Sequence, residues 1–174
     1  MRRRVKMKYI LSLFVLLLTG CGTSGSSNDV ALLGKWTLPC TNEDNGYSEQ
    51  GTLLVSKSYL DFDTKRYFNS DCNEDELDIH FIFRDKYSTG RATKFSNGMD
   101  GTELNYVIIE ETIETTPYLI FEEGSFVGTK IYSMYRMENK KLYFAYPDRD
   151  KGLDGLTSSK RADFFNGKYY IKDN

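Results

Sequence analysis

Apolar and polar positions alternate with a period of two along most of the chain. Leu77, Ile79, Phe81 and Phe83 alternate with Asp78, His80, Ile82 and Arg84, the pattern of a half-buried strand. Leu104, Tyr106 and Ile108 alternate with Asn105, Val107 and Ile109, and the segment continues through Thr112 and Ile113. Ile131, Ser133, Tyr135 and Met137 oppose Tyr132, Met134 and Arg136. After Glu138-Asn139-Lys140 the chain resumes as Leu142, Phe144 and Tyr146, which predicts a β-hairpin. Thr52 to Val55 and Tyr59 to Phe68 give two earlier strands around a Lys57-Ser58 turn. Tyr118 to Phe121 gives a short one between Pro117 and Gly124. No window sustains helical spacing, although Thr157 to Phe165 has room for one or two helical turns. About eight short antiparallel strands with short connections predict an all-β, up-and-down barrel, because closure removes the edges that invite aggregation. A β-sandwich is the alternative.

The first residues follow another rule. Arg2, Arg3, Arg4, Lys6 and Lys8 precede an apolar run from Tyr9 to Leu18, which leads to Thr19-Gly20-Cys21. A basic stretch, a short apolar stretch and small residues describe a secretory signal peptide. The run is too short for the roughly 20 residues of a spanning helix. Leu18-Thr19-Gly20-Cys21 resembles the bacterial lipobox, in which the cysteine is acylated and becomes the first mature residue. That resemblance implies a lipoprotein of a Gram-negative envelope, its thiol carrying diacylglycerol and its terminus palmitate. Several chains at one terminus anchor stably where one would be marginal. Gly22 in place of Asp implies sorting to the outer membrane, on its periplasmic or its surface face. The expected organisation is a signal peptide over 1–20, the lipidated Cys21 and a Gly/Ser tether over 21–30, and one domain over 31–174.

Cleavage changes the charge. The whole chain has 23 Lys+Arg, 25 Asp+Glu and a net charge of −2. The five cations and no acids of residues 1–20 depart, leaving eighteen against twenty-five, or −7. No Lys/Arg cluster survives, so a nucleic-acid partner is not expected. Cys40 and Cys72 become the remaining pair of thiols, which in an exported chain reads as a disulfide. A metal site or a reactive thiol would be the alternatives.

Leu33-Gly34-Lys35-Trp36 resembles the L-x-G-x-W opening of lipocalin-like domains, in which Trp plugs one barrel end and Gly permits a tight turn. The wider pattern is similar to a group of small bacterial lipoproteins of largely unassigned function. They share a lipobox, a GxW strand and two cysteines, here Gly34, Trp36, Cys40 and Cys72. They also share a KLYF strand and a D-G-x-T…K-R segment, matched by Lys141 to Phe144, Asp154-Gly155, Thr157 and Lys160-Arg161. Ala162 stands where that group often has Pro. The resemblance implies fold and address, and brings no catalytic residue.

Candidate chemistry is sparse. There is no G-x-S-x-G elbow, and His80 is the sole imidazole, so nucleophilic hydrolysis has no evident base. Paired acids such as Glu110-Glu111, Glu122-Glu123 and Asp61 with Asp63 fit solvated strand faces and turns as well as acid/base work. Asp148, Asp150, Asp154 and Gly155 suggest a calcium loop, but a register from Asp150 puts Arg161 where a bidentate Glu is required. No metal, cofactor or enzymatic activity is expected. The chain is rich in aromatics, with 13 Tyr and 11 Phe, and inward rings could line a barrel cavity. Tyr106, Tyr135, Phe81 and Phe144 are the ligand-binding candidates. The function expected is a membrane-anchored, non-enzymatic binding module for a small apolar or amphipathic molecule. The alternative is an accessory lipoprotein that holds another envelope protein through its Tyr-rich strands.

Overall fold

A computed structural model describes residues 29–43, 46–115 and 126–174. Eight strands run in chain order: β1 (Gly34–Asn42), β2 (Ser48–Val55), β3 (Tyr59–Tyr67), β4 (Leu77–Lys94), β5 (Asp100–Thr115), β6 (Lys130–Glu138), β7 (Lys141–Phe144) and β8 (Tyr170–Lys172). Each pairs antiparallel with the next, and β8 returns to β1 through Trp36 opposite Lys172 and Thr37 opposite Ile171. The molecule is a closed, all-antiparallel, up-and-down barrel, as the period-two pattern predicts. The Cys40–Cys72 bond is also formed, with Cα atoms 5.9 Å apart.

The strands differ from the sequence reading in extent. β4 and β5 form the longest ribbon and continue past the alternating segments, to Lys94 and back from Asp100. Gly90 lies within this stretch and Gly98 at its turn, where periodicity is hardest to follow. β8 has three residues and no legible alternation; it exists because a partner edge waits on each side. Thr157 to Phe165 contains a single 3-10 turn, Ser158–Lys160. The strand expected over 118–121, the Glu122-Glu123 pair, the signal segment and Cys21 lie outside the described residues.

Directly paired residues of antiparallel strands point to the same face, so register gives the interior. From β1 around the wall one inner row is Trp36, Leu53, Phe62, Phe83 and Glu111, and the next row towards the base is Val55, Leu60, Asp85 and Ile108. Leu104, Tyr106, Ser133, Tyr135, Leu142, Phe144 and Tyr170 complete the circuit. A bulge between Arg84 and Asp85, opposite Ile109, keeps β4 in phase while β5 gains one residue.

One end is sealed. The 3-10 turn Val30–Leu32 lies across it, capped by Asp29, whose carboxylate accepts the Ala31 N–H at 2.9 Å. Trp36 is 1% exposed, and its indole N–H donates to the Leu32 carbonyl at 2.8 Å. Gly34 precedes it at φ +123°, a conformation that L side chains rarely adopt. Leu32, Trp36, Val55, Leu60, Tyr87, Leu104, Tyr135 and Leu142 form one buried cluster there. This end is the base, and the other the rim.

A second, smaller core lies outside the barrel wall. Phe95, Met134 and Ala145 pack with Met99 and Phe165, so the tip of the β4–β5 ribbon and the C-terminal segment fold onto the outer faces of β6 and β7. Gly101 permits this: a Cβ there would stand 2.3 Å from the Phe95 ring.

Candidate functional site

The inner row of β4 reads Ile79, Phe81, Phe83, Asp85, Tyr87 from rim to base. An acid stands in the middle of an aromatic and aliphatic row. Asp85 is 2% exposed, is flanked by Leu60 on β3 and Ile108 on β5, and its Oδ1 is buried with no hydrogen-bond partner. Burial, to which the charge of Asp61 adds, pushes its pKa up to about 7. The neighbouring guanidinium of Arg84 points to the outer face, where it meets Asp61 at 2.6 Å and Glu110 at 3.5 Å.

Tyr106 and Tyr170 share this interior. Tyr106 packs against the central cluster, and burial and then the charge of Asp85 raise its pKa above the ordinary phenol range. Tyr170 is 7% exposed; burial raises its phenol, while a hydrogen bond with Thr64 works the other way. The rings of Phe62 and Phe144 meet across the barrel at 5.9 Å, and Phe144 meets Tyr170 at 5.7 Å. These rings line the middle of the barrel.

Towards the rim the wall changes character. Phe81 and Phe83 are stacked at 5.9 Å and are only half-buried, as is Ile113 opposite Phe81. Phe126 meets Phe83 edge-on at 6.4 Å, and its N–H donates to Glu111 at 2.7 Å. On the β8 side of the barrel Lys168 donates to Glu43 and, at 2.9 Å, to Glu49. Burial works against its ammonium, but the two carboxylates more than offset that, and its pKa lies above the usual lysine value. Tyr146 lies nearby, its phenol raised by burial and then by Glu49 and Glu43.

The four ligand candidates thus divide. Tyr106 and Phe144 belong to the ring-lined middle, and Phe81 to the rim. Tyr135 is spent at the base, where its hydroxyl donates to Asp29 Oδ2 at 3.0 Å. The structure brings Phe81, Tyr106 and Phe144 to one interior and sets Tyr135 to closing its floor. Other tyrosines face outward: Tyr59 lies beneath Arg84, Tyr132 beneath Arg161, and Tyr143 against Phe165. Asp85 lies one position beyond the alternating segment Leu77 to Arg84, so the periodicity that marks that strand does not single it out. Extending the same alternation by one step would have found an acid in the apolar phase.

The remaining candidate chemistry lies elsewhere. His80 is on the outer face, its ring nitrogens 2.8 Å from Asp63 and 3.3 Å from Glu114. Asp148 is held by Lys151 at 3.0 Å and Asp154 by the Leu156 N–H at 2.9 Å and Lys160 at 3.5 Å. Among the described residues no group of three or more potential ligands is arranged to hold a metal ion. A surface groove of about 630 Å³ lies at the base between Met99, Tyr135 and Glu138, and Asp85 does not line it.

Fold and interior together define the class: a closed eight-stranded antiparallel barrel compatible with a lipocalin-like architecture, with one sealed end and a buried acid among rings. In comparisons with known proteins the chain matches no family model and no curated protein.

Proposed function

We propose that this barrel is a non-enzymatic binding module for a small apolar or amphipathic molecule, carried by a lipid-anchored lipoprotein of the outer membrane. One observation carries the binding reading: the two ends of the interior differ. The base is sealed by Trp36, the 3-10 turn and the Tyr135–Asp29 bond, whereas inward Phe81, Phe83 and Ile113 near the rim stay half-buried. An apolar wall with a few convergent polar groups beneath it is the usual make-up of a small-molecule site. Address rests on the N-terminal pattern and on the resemblance of the chain to small GxW lipoproteins.

Fluorescent fatty-acid and bile-salt probes test the binding reading. Saturable binding at one site is expected, and Phe81→Asp should weaken it roughly ten-fold or more by placing a charge on the apolar wall. Absence of saturable binding by these anionic probes and by neutral and cationic amphiphiles alike overturns the reading. For the address, Cys21→Ala should move the protein from the membrane fraction to the soluble one and abolish palmitate incorporation. Membrane retention of the variant would show that Cys21 is not the anchor.

A further inference from the structure

Asp85 lies on the inner face of β4, 2% exposed, with Oδ1 unpartnered. Among the described residues no Lys, Arg or His pairs with it, because Arg84 is committed to Asp61 and Glu110 outside the wall. Lys168, the cation held in the upper interior, is already shared by Glu43 and Glu49. An isolated buried carboxylate is costly, and a fold that keeps one leaves unspent attraction for a positive charge. Two aromatic side chains lie beside it: Phe83 is the next inward residue towards the rim, and Tyr106 stands close enough on β5 for the Asp85 charge to bear on its phenol. Ring faces attract organic cations, most strongly when desolvated. From Asp85 the inner row of β4 continues through Phe83 to Phe81, a stretch of roughly 13 Å by strand rise, with Glu111 beside Phe83 on β5 accepting the Phe126 N–H.

We infer that the molecule this barrel takes is an amphipathic organic cation, its ammonium head seated at Asp85 and its apolar tail lying along Phe83 and Phe81 towards the rim. The inference rests on the binding-module reading and adds the charge and orientation of the ligand. An anionic amphiphile would set its head against the Asp85 carboxylate with no free cation to receive it. A neutral one would gain at most a hydrogen bond there, and not the charge pairing that offsets the buried acid.

The test uses the mature full-length domain and three probes with one tail: dodecylamine, dodecanol and dodecanoate, each below its micelle concentration at pH 8, followed by calorimetry. Dodecylamine should bind at one site roughly ten-fold or more tightly than either of the others, the worth of one modest ion pair. Asp85→Asn, near-isosteric, should bring the amine down to the affinity of the alcohol and leave the alcohol unchanged. Circular dichroism and unfolding of the variant check that it folds; if it does not, the three-probe ranking on the native chain decides. Equal or tighter binding of dodecanol or dodecanoate overturns the inference while leaving the binding-module reading standing. Amine preference that survives Asp85→Asn removes Asp85 as the seat and overturns it too. Saturable binding of none of the three defeats both.

Discussion

Asp85 and Trp36 show how much a single side chain carries in this barrel. Asp85 has a pKa near 7, raised from 3.8, so its neutral form is the one that folding favours. The stability that this gives is fully present below about pH 4 and is lost as pH rises through about 7. The loss is on the order of 4 kcal/mol by linkage. Urea unfolding of the wild type and of Asp85→Asn at pH 5 and pH 8 should show the wild type losing more stability over that interval, with the variant the more stable at pH 8. Equal losses in the two proteins would show that Asp85 titrates as an ordinary carboxylate. Trp36 is the counterpart at the base. It fills the barrel end and donates to Leu32, so Trp36→Ala leaves both a cavity and an unpaired carbonyl. A cost of about 3–5 kcal/mol is expected, read from the urea midpoint.

At the scale of elements, what matters is how strands are tied to the segments beside them. The Cys40–Cys72 bond joins the end of β1 to the β3–β4 connection across β2. It holds that connection over the outer face, where Cys72 accepts φ +53° and its N–H donates to the buried Ser48 hydroxyl at 3.1 Å. Tyr67 lies fully buried beneath the same connection, with its hydroxyl bonded to Gln50 and Glu74. Reduction should therefore lower stability by about 3 kcal/mol and loosen residues 68–76 first. Hydrogen exchange with and without reductant would read it; unchanged protection of that segment would show that packing alone holds it. Gly51 sets how closely β2 approaches β3: a Cβ there would stand 2.4 Å from the Asp63 carbonyl, which is backbone and cannot swing away. Gly51→Ala should cost about 1–3 kcal/mol by forcing the pair apart, while Gly98→Ala, in open space, should be limited to the strain of its φ of +86°.

For the whole molecule, closure depends on its shortest strand. β8 has three residues, yet it joins β7 to β1, buries Tyr170 against Phe144, and sends Lys172 over Trp36 to the Ala31 carbonyl at 2.9 Å. Removing residues 168–174 would open the sheet between β1 and β7 and strip Glu43 and Glu49 of Lys168. The shortened chain should lose amide protection in β1 and β7 and unfold less cooperatively. Retained protection there would mean that the wall closes without β8.

Strand identity was legible because each face of this wall meets a different medium: Ile79, Phe81 and Phe83 alternate with His80, Ile82 and Arg84 over enough residues for the period to show. The cysteine pair was legible too, because the expectation of export leaves Cys40 and Cys72 to pair with each other. The role of β8 was not, because Tyr170-Ile171-Lys172 is a strand only by virtue of its two neighbours. Nor could sequence divide the tyrosines. Tyr135 and Tyr106 share the same alternating pattern, and only the sealing of one barrel end assigns the first to the floor and the second to the interior. Asp85 illustrates the same division. Its place in the apolar phase was written in the chain, but its isolation came from Arg84 turning outward to Asp61 and Glu110, a choice made between strands distant in sequence. Period and residue type act locally and survive in one dimension. Closure, register and the pairing of charges are decided by which strands meet, and that exists only once the barrel has closed.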